Sequence, residues 1–135
     1  MRYIALFLFL ISTPAFAQEG PCEVSRIIDG DTFVCITDGE EYKVRLIGMD
    51  CPELPTHEGI EAKEYVEEIM PVGTVVRLEL DVQTYDRYHR VLAYVWLPSG
   101  DMLNEVLLRD GYAVLMTVPP NVARVDEFKA ISSRR

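Results

Sequence analysis

The sequence has few of the residues that build zinc sites or strongly basic surfaces. It contains three cysteines and two histidines, and it has no CxxC pair. Zinc sites are usually built from such pairs, so a zinc-binding module is disfavoured. Lysine and arginine number 13 against 22 acidic residues, which gives a formal net charge of −9. This balance provides little long-range attraction for a polyanion, so any phosphate-binding region must be local.

The sequence also lacks a long apolar run outside its first residues. Residues 3–11 are apolar, follow the basic Arg2, and precede Ala15-Phe16-Ala17, which has small residues at both positions of an A-x-A cleavage site. The run is shorter than the about 20 residues that span a bilayer. These features predict an export signal over residues 1–17, cleaved before Gln18. No membrane anchor would remain, and the protein would reach the periplasm or the medium.

The rest of the chain, residues 18–135, contains no repeat, low-complexity tract or linker, so one domain is expected. Short alternating segments between glycine, proline and aspartate turns indicate strands, and Asp29-Gly30 is a hairpin-turn signal. The predicted strands are 23–28, 31–37, 41–49, 74–82 and 90–97, and the predicted helices are 58–70, 102–110 and 123–132. We expect Asp101 to cap the second helix and Gly111 to end it. Five strands and about three helices predict a mainly β, α+β barrel of OB type, and an open α+β sheet is the alternative.

The three cysteines allow one disulfide in an exported chain. Cys22 and Cys35 flank the predicted hairpin turn, so they would lie on paired strands. A two-residue turn at Asp29-Gly30 would place Cys35 opposite Val24, and a bulge would bring it to Cys22. A bridge between Cys22 and Cys35 is therefore a hypothesis, with Cys51 left over.

Two aspartates at strand ends or turns are candidate metal ligands. Asp31 and Asp50 offer carboxylate oxygens, and the carbonyl of Cys51 offers a further one. Calcium accepts such oxygens in flexible geometry. An aspartate in a turn more commonly caps backbone amides, and we prefer that interpretation for Asp29. Glu53 follows Asp50 by three residues in a proline-stiffened loop, where it would accept a proton from a metal-associated water or orient that water.

Two arginines on predicted strands are candidate phosphate ligands. Arg45 lies on the face opposite Val44 and Leu46, and Arg90 begins the fifth predicted strand. A guanidinium offers planar, bidentate donors and keeps its charge. Either arginine alone would more simply pair with a surface acid, but together with the carboxylates they form the set that phosphoryl transfer needs.

Four motifs in the same order resemble the staphylococcal nuclease-like (thermonuclease) family. They are IDGDT at 28–32, RLIGMDCPE at 45–53, DRYHR at 86–90 with LAYVW at 92–96, and LNEVLLRDGYA at 103–113. The resemblance implies a five-stranded OB barrel with three helices. It also implies a calcium-dependent enzyme that cleaves DNA and RNA at the 5′ P–O bond and leaves 3′-phosphates.

The resemblance further assigns roles by matching position. Asp31 and Asp50 resemble the calcium carboxylates, with the carbonyl of Cys51 as a further ligand. Arg45, Glu53 and Arg90 resemble the catalytic set, and Arg87 and Tyr88 resemble the pair that contacts substrate. We expect DNA and RNA as substrates, Ca2+ as the cofactor and a monomer.

Two departures from the family pattern lie towards the C-terminus. The substrate-contacting tyrosines of the type enzyme are not evident in residues 114–120, and the sequence stops at Arg135, where the family's last helix usually continues. Two alternatives to an enzyme therefore stay open. One is a non-catalytic OB module that binds nucleic acid or protein, and the other is an inactive shortened relative.

Overall fold

The computed structural model describes residues 20–134. The predicted export signal, residues 1–17, lies outside this part of the chain. Within it, no helix has both the length and the apolar character needed to cross a membrane.

Seven strands and three helices follow one another along the described chain. The strands are β1 (Gly20–Asp29), β2 (Thr32–Thr37), β3 (Glu40–Leu46), β4 (Met49–Asp50), β5 (Val75–Glu79), β6 (Val91–Trp96) and β7 (Val114–Leu115). The helices are α1 (His57–Ile69), α2 (Leu103–Arg109) and α3 (Val125–Ser133). Five strands close into a barrel in the order β1-β2-β3-β6-β5, and β4 pairs with β7 in a separate two-stranded sheet. The predicted OB-type barrel is thus confirmed.

The barrel interior is filled by the apolar face of each alternating strand. Val44, Leu78 and Val95 are completely or almost completely removed from solvent. Burial of such a side chain contributes about 1.5–3 kcal/mol, so these alternating positions favour closure of the sheet. Phe33 and Tyr94 are also buried in this core.

The β1–β2 hairpin turns one residue later than the sequence predicts. Asp29 pairs with Thr32, so the turn residues are Gly30 and Asp31, and the register shifts twice along β1. Such bulges insert an unpaired residue that a simple alternating pattern does not reveal. Cys35 lies opposite Val24.

A disulfide bond joins Cys22 to Cys35 diagonally across this hairpin, with 5.5 Å between the Cα atoms. It ties β1 to β2 at the end of the barrel away from the Gly30 turn. Cys51 is the free cysteine among the described residues, and it is buried.

Among the three helices of the described chain, only α1 has a side-chain cap at its N-terminus. Thr56 caps α1 by accepting a hydrogen bond from the Gly59 amide at 3.1 Å. The predicted cap of α2 by Asp101 is wrong, because Met102 occupies the cap position and no side chain bonds there. Asp101 instead takes part in a local turn with Ser99. Gly111 follows the end of α2 with a φ of +85°, as a glycine C-terminal signal predicts.

Gly48 creates the turn that separates β3 from β4. Its φ is +83°, and a Cβ atom there would lie 2.5 Å from Cε2 of Phe128. Only glycine fits both the backbone conformation and the packing against α3. The turn redirects the chain so that Asp50 pairs with Val114 in the small sheet. It therefore brings Asp50 back towards Arg45, which precedes it on β3.

Candidate active site

Asp31 is held firmly in the hairpin turn by its neighbours. Its side chain accepts hydrogen bonds from the Thr32 hydroxyl at 3.0 Å and from the Cys51 amide at 2.9 Å. Its own amide donates to Asp29 Oδ1 at 3.0 Å, which makes Asp29 a local turn residue, as the sequence indicates. Asp31 is only 6% exposed, so its carboxylate points into a fixed, enclosed environment.

Arg45 bridges the two candidate metal-binding carboxylates. Its Nη1 lies 3.3 Å from Asp31 Oδ2, and its Nη2 lies 3.1 Å from Asp50 Oδ1. Nη1 also donates to the carbonyls of Leu46 and Met49 at 3.2 and 3.1 Å. Within residues 20–134, Nε and the second hydrogen of Nη2 have no acceptor in this arrangement. Those two donors remain open for an anion.

Asp29, Asp31 and Asp50 form a carboxylate cluster around Arg45, and their pKa values are shifted in different directions. Burial raises the pKa of Asp29 to about 6, helped by the neighbouring Asp31. Burial would also raise the pKa of Asp31, but its hydrogen bonds and the charge of Arg45 outweigh this effect and lower that pKa. Burial raises the pKa of Asp50 and the charge of Asp31 adds to this, while Arg45 opposes it. Asp31 is thus the most firmly ionised of the three.

The donor set near Arg45 fits a hard cation that completes its coordination with water. Asp31 and Asp50 supply carboxylate oxygens, the ligand type that calcium prefers. Side chains alone do not form a complete site, because residues 20–134 contain no group of three or more His, Cys, Asp or Glu arranged around a metal position. A backbone oxygen such as that of Cys51, together with water, would have to supply the remainder.

The Cys51 thiol is not a ligand in this arrangement. A Cβ atom on Gly30 would lie 2.8 Å from its Sγ, which shows how closely the thiol packs against the hairpin turn. Burial raises the pKa of this thiol, so it stays protonated at neutral pH. Any contribution of Cys51 to a metal site would therefore come from its carbonyl.

Glu53 lies at the exposed edge of the cluster. Its backbone carbonyl accepts from the Thr56 amide at 3.2 Å, which fixes the loop just before α1. Its carboxylate is near enough to Asp50 to help raise the pKa of Asp50. Its side chain is exposed to water and acts electrostatically on Asp50.

Arg45 and Arg90 line the same cavity, which has a volume of about 460 Å³. Arg90 immediately precedes β6 rather than lying within it. Arg87 and Tyr88, from the loop that precedes Arg90, line the cavity as well. The rest of the lining is largely apolar and includes Met116, Val118, Pro119 and Pro120. Cationic donors and an apolar wall therefore face one space.

Arg87 and Tyr88 form a single unit with Arg90. The guanidinium of Arg87 donates to the Tyr88 hydroxyl at 2.6 Å, and its carbon lies 4.8 Å from the ring centre. The guanidinium carbon of Arg90 lies 5.3 Å from the same ring. Tyr88 thus contacts both arginines through cation–π interactions.

Comparison with known proteins identifies the family of this chain. The family described as Staphylococcal nuclease homologue matches residues 43–134. This range includes Asp50 and every residue that lines the cavity, but it begins after Asp31. The thermonuclease of Staphylococcus hyicus is 40% identical over 111 residues, which are 78% of this chain and 64% of that protein.

The chain belongs to the staphylococcal nuclease homologue family.

Two proteins described as endonucleases are similar at lower identity. An Escherichia coli protein described as an uncharacterized endonuclease is 30% identical over 115 residues, 83% of this chain and 71% of that protein. Endonuclease YncB of Bacillus subtilis is 33% identical over 114 residues, 78% of this chain and 53% of YncB. The chain spans 64% and 61% of the two staphylococcal thermonucleases that it matches.

Two residues that shape the cavity have no role predicted from the sequence: Asp86, which begins the DRYHR motif, and Asn121. Asp86 bonds to Arg90, and the only sequence signal was an acid and an arginine four positions apart in a loop. Asn121 is 4% exposed and bonds reciprocally to the backbone of Gln83, at 2.8 and 2.9 Å. This pair links the loop after β5 to the segment after β7, which are two parts of the cavity lining. The two residues are 38 positions apart, so no local sequence pattern predicts this contact.

Proposed function

We propose that this chain is an exported, calcium-dependent nuclease that hydrolyses phosphodiesters of DNA and RNA at the 5′ P–O bond and leaves 3′-phosphates. The observation that carries the proposal is that Arg45 and Arg90 line one cavity, while Arg45 also contacts both Asp31 and Asp50. Membership of the family, with relatives named thermonuclease and endonuclease, supports the same reaction class.

Calcium would be held by Asp31, Asp50 and the carbonyl of Cys51. When bound, it would supply positive charge beside a phosphate oxygen and a water. The fixed hydrogen bonds of Asp31 keep its carboxylate in place and ionised, so the protein needs little rearrangement at this ligand. Asp50 is more exposed and therefore accessible from the solvent side.

The two arginines would stabilise the negative charge that grows on the phosphate oxygens as water attacks phosphorus. Arg45 offers the N–H groups that the carboxylates leave open, and Arg90, immediately before β6, lines the same cavity. Glu53 would accept the proton that the attacking water loses. The P–O5′ bond then breaks, the 5′ oxygen takes up a proton from solvent, and the phosphate stays on the 3′ oxygen.

A broad substrate range follows from the chemistry of the contacts. Arg87 and Arg90 face the cavity with donors suited to phosphate, and phosphate contacts carry no base or sugar information. The apolar wall offers contact to a base without polar selection. We therefore propose both DNA and RNA as substrates. A monomer stays our expectation from the family resemblance.

Export is proposed from the predicted signal over residues 1–17. The disulfide between Cys22 and Cys35 supports it, because such bonds persist in oxidising compartments. Detection of a mature chain that begins at Gln18, in the periplasm or medium of expressing cells, tests this part. Retention of residues 1–17 on a cytoplasmic protein would contradict it.

Digestion of DNA and of RNA by the purified protein, first with calcium and then with a chelator, tests the enzymatic proposal. We expect cleavage of both polymers with calcium, 3′-phosphate ends on the products and loss of cleavage with the chelator. Arg90→Ala serves as the variant that should lose activity while still folding, because Arg90 is partly exposed. Binding without cleavage under every condition would favour the non-catalytic module.

A further inference from the structure

We propose that Asp86 is a positioning residue that holds the Arg90 guanidinium in the cavity, an inference that rests on the proposed function. Arg90 Nε donates to Asp86 Oδ2 at 2.7 Å. Among residues 20–134, neither terminal nitrogen of Arg90 has a hydrogen-bond acceptor. Asp86 therefore fixes Nε of the guanidinium and leaves Nη1 and Nη2 available for a phosphate.

The carboxylate of Asp86 also organises the loop that carries Arg90. Its Oδ1 accepts from the amides of Tyr88 and Arg90, at 2.8 and 3.0 Å. The Asp86 amide donates to the Arg90 carbonyl, and the His89 amide donates to the Asp86 carbonyl. His89 has a φ of +61°, which reverses the chain within the loop. One side chain thus satisfies three donors and closes a five-residue loop immediately before β6.

These bonds favour a charged Asp86. Burial by itself would raise the pKa of this carboxylate, but the amides of Arg90 and Tyr88 and the Arg90 side chain outweigh burial and lower the pKa. The carboxylate therefore stays ionised throughout the neutral range. A permanently charged acceptor is the kind of partner that holds a guanidinium in a single orientation.

Preorganisation explains why an acid is useful beside a phosphate site. An arginine side chain has many rotamers, and ordering them during the reaction would slow turnover. Arg45 is ordered by two carboxylates and two carbonyls. Arg90, in the part of the chain that the structure describes, has only Asp86 as an ion-pair partner. The negative charge of Asp86 also repels substrate. If Asp86 positions Arg90, removing its charge lowers kcat. If Asp86 only repels substrate, removing its charge lowers KM and leaves kcat unchanged.

The test is Asp86→Asn, measured by steady-state cleavage of a short oligonucleotide with calcium. Asparagine removes the charge and cannot accept from both the Arg90 side chain and the backbone amides without presenting a donor to one of them. We expect kcat to fall about 10-fold or more, while KM stays the same or decreases. Asp86→Glu, which keeps the charge but displaces the carboxylate, should also lower kcat and serves if Asp86→Asn does not fold.

A double-mutant cycle separates positioning from a general effect on stability. In an Arg90→Ala background, Asp86→Asn should lower kcat by no more than about twofold, because the group that it positions is gone. Asp38→Asn, at the exposed β2–β3 turn, removes the same charge far from the cavity and should change neither kcat nor KM. Melting curves of each variant establish that it is folded.

The outcomes distinguish this inference from the function on which it rests. A wild-type protein that cleaves neither DNA nor RNA with calcium overturns the proposed function and this inference with it. An active wild type whose folded Asp86→Asn variant keeps its full kcat overturns the inference alone. So does a fall in kcat that is as large in the Arg90→Ala background as in the wild type.

Discussion

Replacement of Asn104 by leucine tests how the end of β3 is held. Asn104 is fully buried in α2. Its Oδ1 accepts from the Val95 amide at 3.0 Å, and its Nδ2 donates to the Ile47 carbonyl at 2.9 Å. The β3–β6 pairing ends at Leu46, so this side chain takes the place of the strand where β3 leaves the barrel.

Leucine fills a similar volume but leaves two buried backbone groups without partners. Each such group costs about 2 kcal/mol, within a range of 1–3. The Ala93 carbonyl, which also contacts Asn104, keeps its bond from the Ile47 amide. The apolar surface that the leucine side chain buries offsets about 1 kcal/mol of this cost. We therefore expect Asn104→Leu to lower the free energy of unfolding by about 3 kcal/mol.

Urea denaturation followed by circular dichroism measures this change. With a slope of about 2 kcal/mol per molar urea, the midpoint should fall by about 1.5 M. Glu105→Gln, at the next position of α2, leaves no buried backbone group unpaired and should change stability by less than about 0.5 kcal/mol. If the midpoint of Asn104→Leu matches that of this control, the side chain does not replace a strand and the reasoning fails.

Three further predictions concern the site and the barrel. Arg45→Lys keeps a charge but loses the fork between the carboxylates, so kcat for DNA cleavage should fall about 100-fold; wild-type turnover would contradict its role. The disulfide closes a separation of 13 residues. Replacing both Cys22 and Cys35 with alanine should therefore cost about 3 kcal/mol in urea titrations, and an unchanged midpoint would refute this. Bonds from Arg124 lower the pKa of Glu79 against the opposing effect of burial. Glu79→Gln should therefore destabilise the protein fully above the pKa of about 4.3 that a glutamate has in the unfolded chain. The destabilisation should shrink as the pH falls through the lower pKa of the folded state, and a pH-independent difference in melting temperature would exclude this linkage.

The sequence predicted those features that depend on neighbouring residues. The alternation around Arg45 placed Val44 and Leu46 in the core and Arg45 on the other face, as the structure confirms. The glycine signal at Gly111 correctly ended α2. Such features succeed because the strand period and the left-handed backbone of glycine are properties of a short segment.

Features that depend on distant contacts were not predictable in the same way. The hydrogen bond from Asn104 to Ile47 spans 57 positions, and no periodicity marks it. The bulges of β1 moved the hairpin turn from Asp29-Gly30 to Gly30-Asp31, because register there follows packing of the whole barrel. Asp86 was visible as an acid near an arginine, but its three bonds depend on the reversal of the chain at His89.

The charges of the site also bear on how an acidic protein would meet a polyanion. Arg45 is paired with Asp31 and Asp50, and Arg90 is paired with Asp86, in a chain of net charge −9. Pairing holds each guanidinium in place, but it also cancels most of the field that would attract phosphate from a distance. Under the proposed function, capture must therefore depend on short-range hydrogen bonds to the nitrogens that the carboxylates leave open. The same acids that weaken attraction fix the geometry, so such a site would gain turnover from preorganisation rather than from substrate steering.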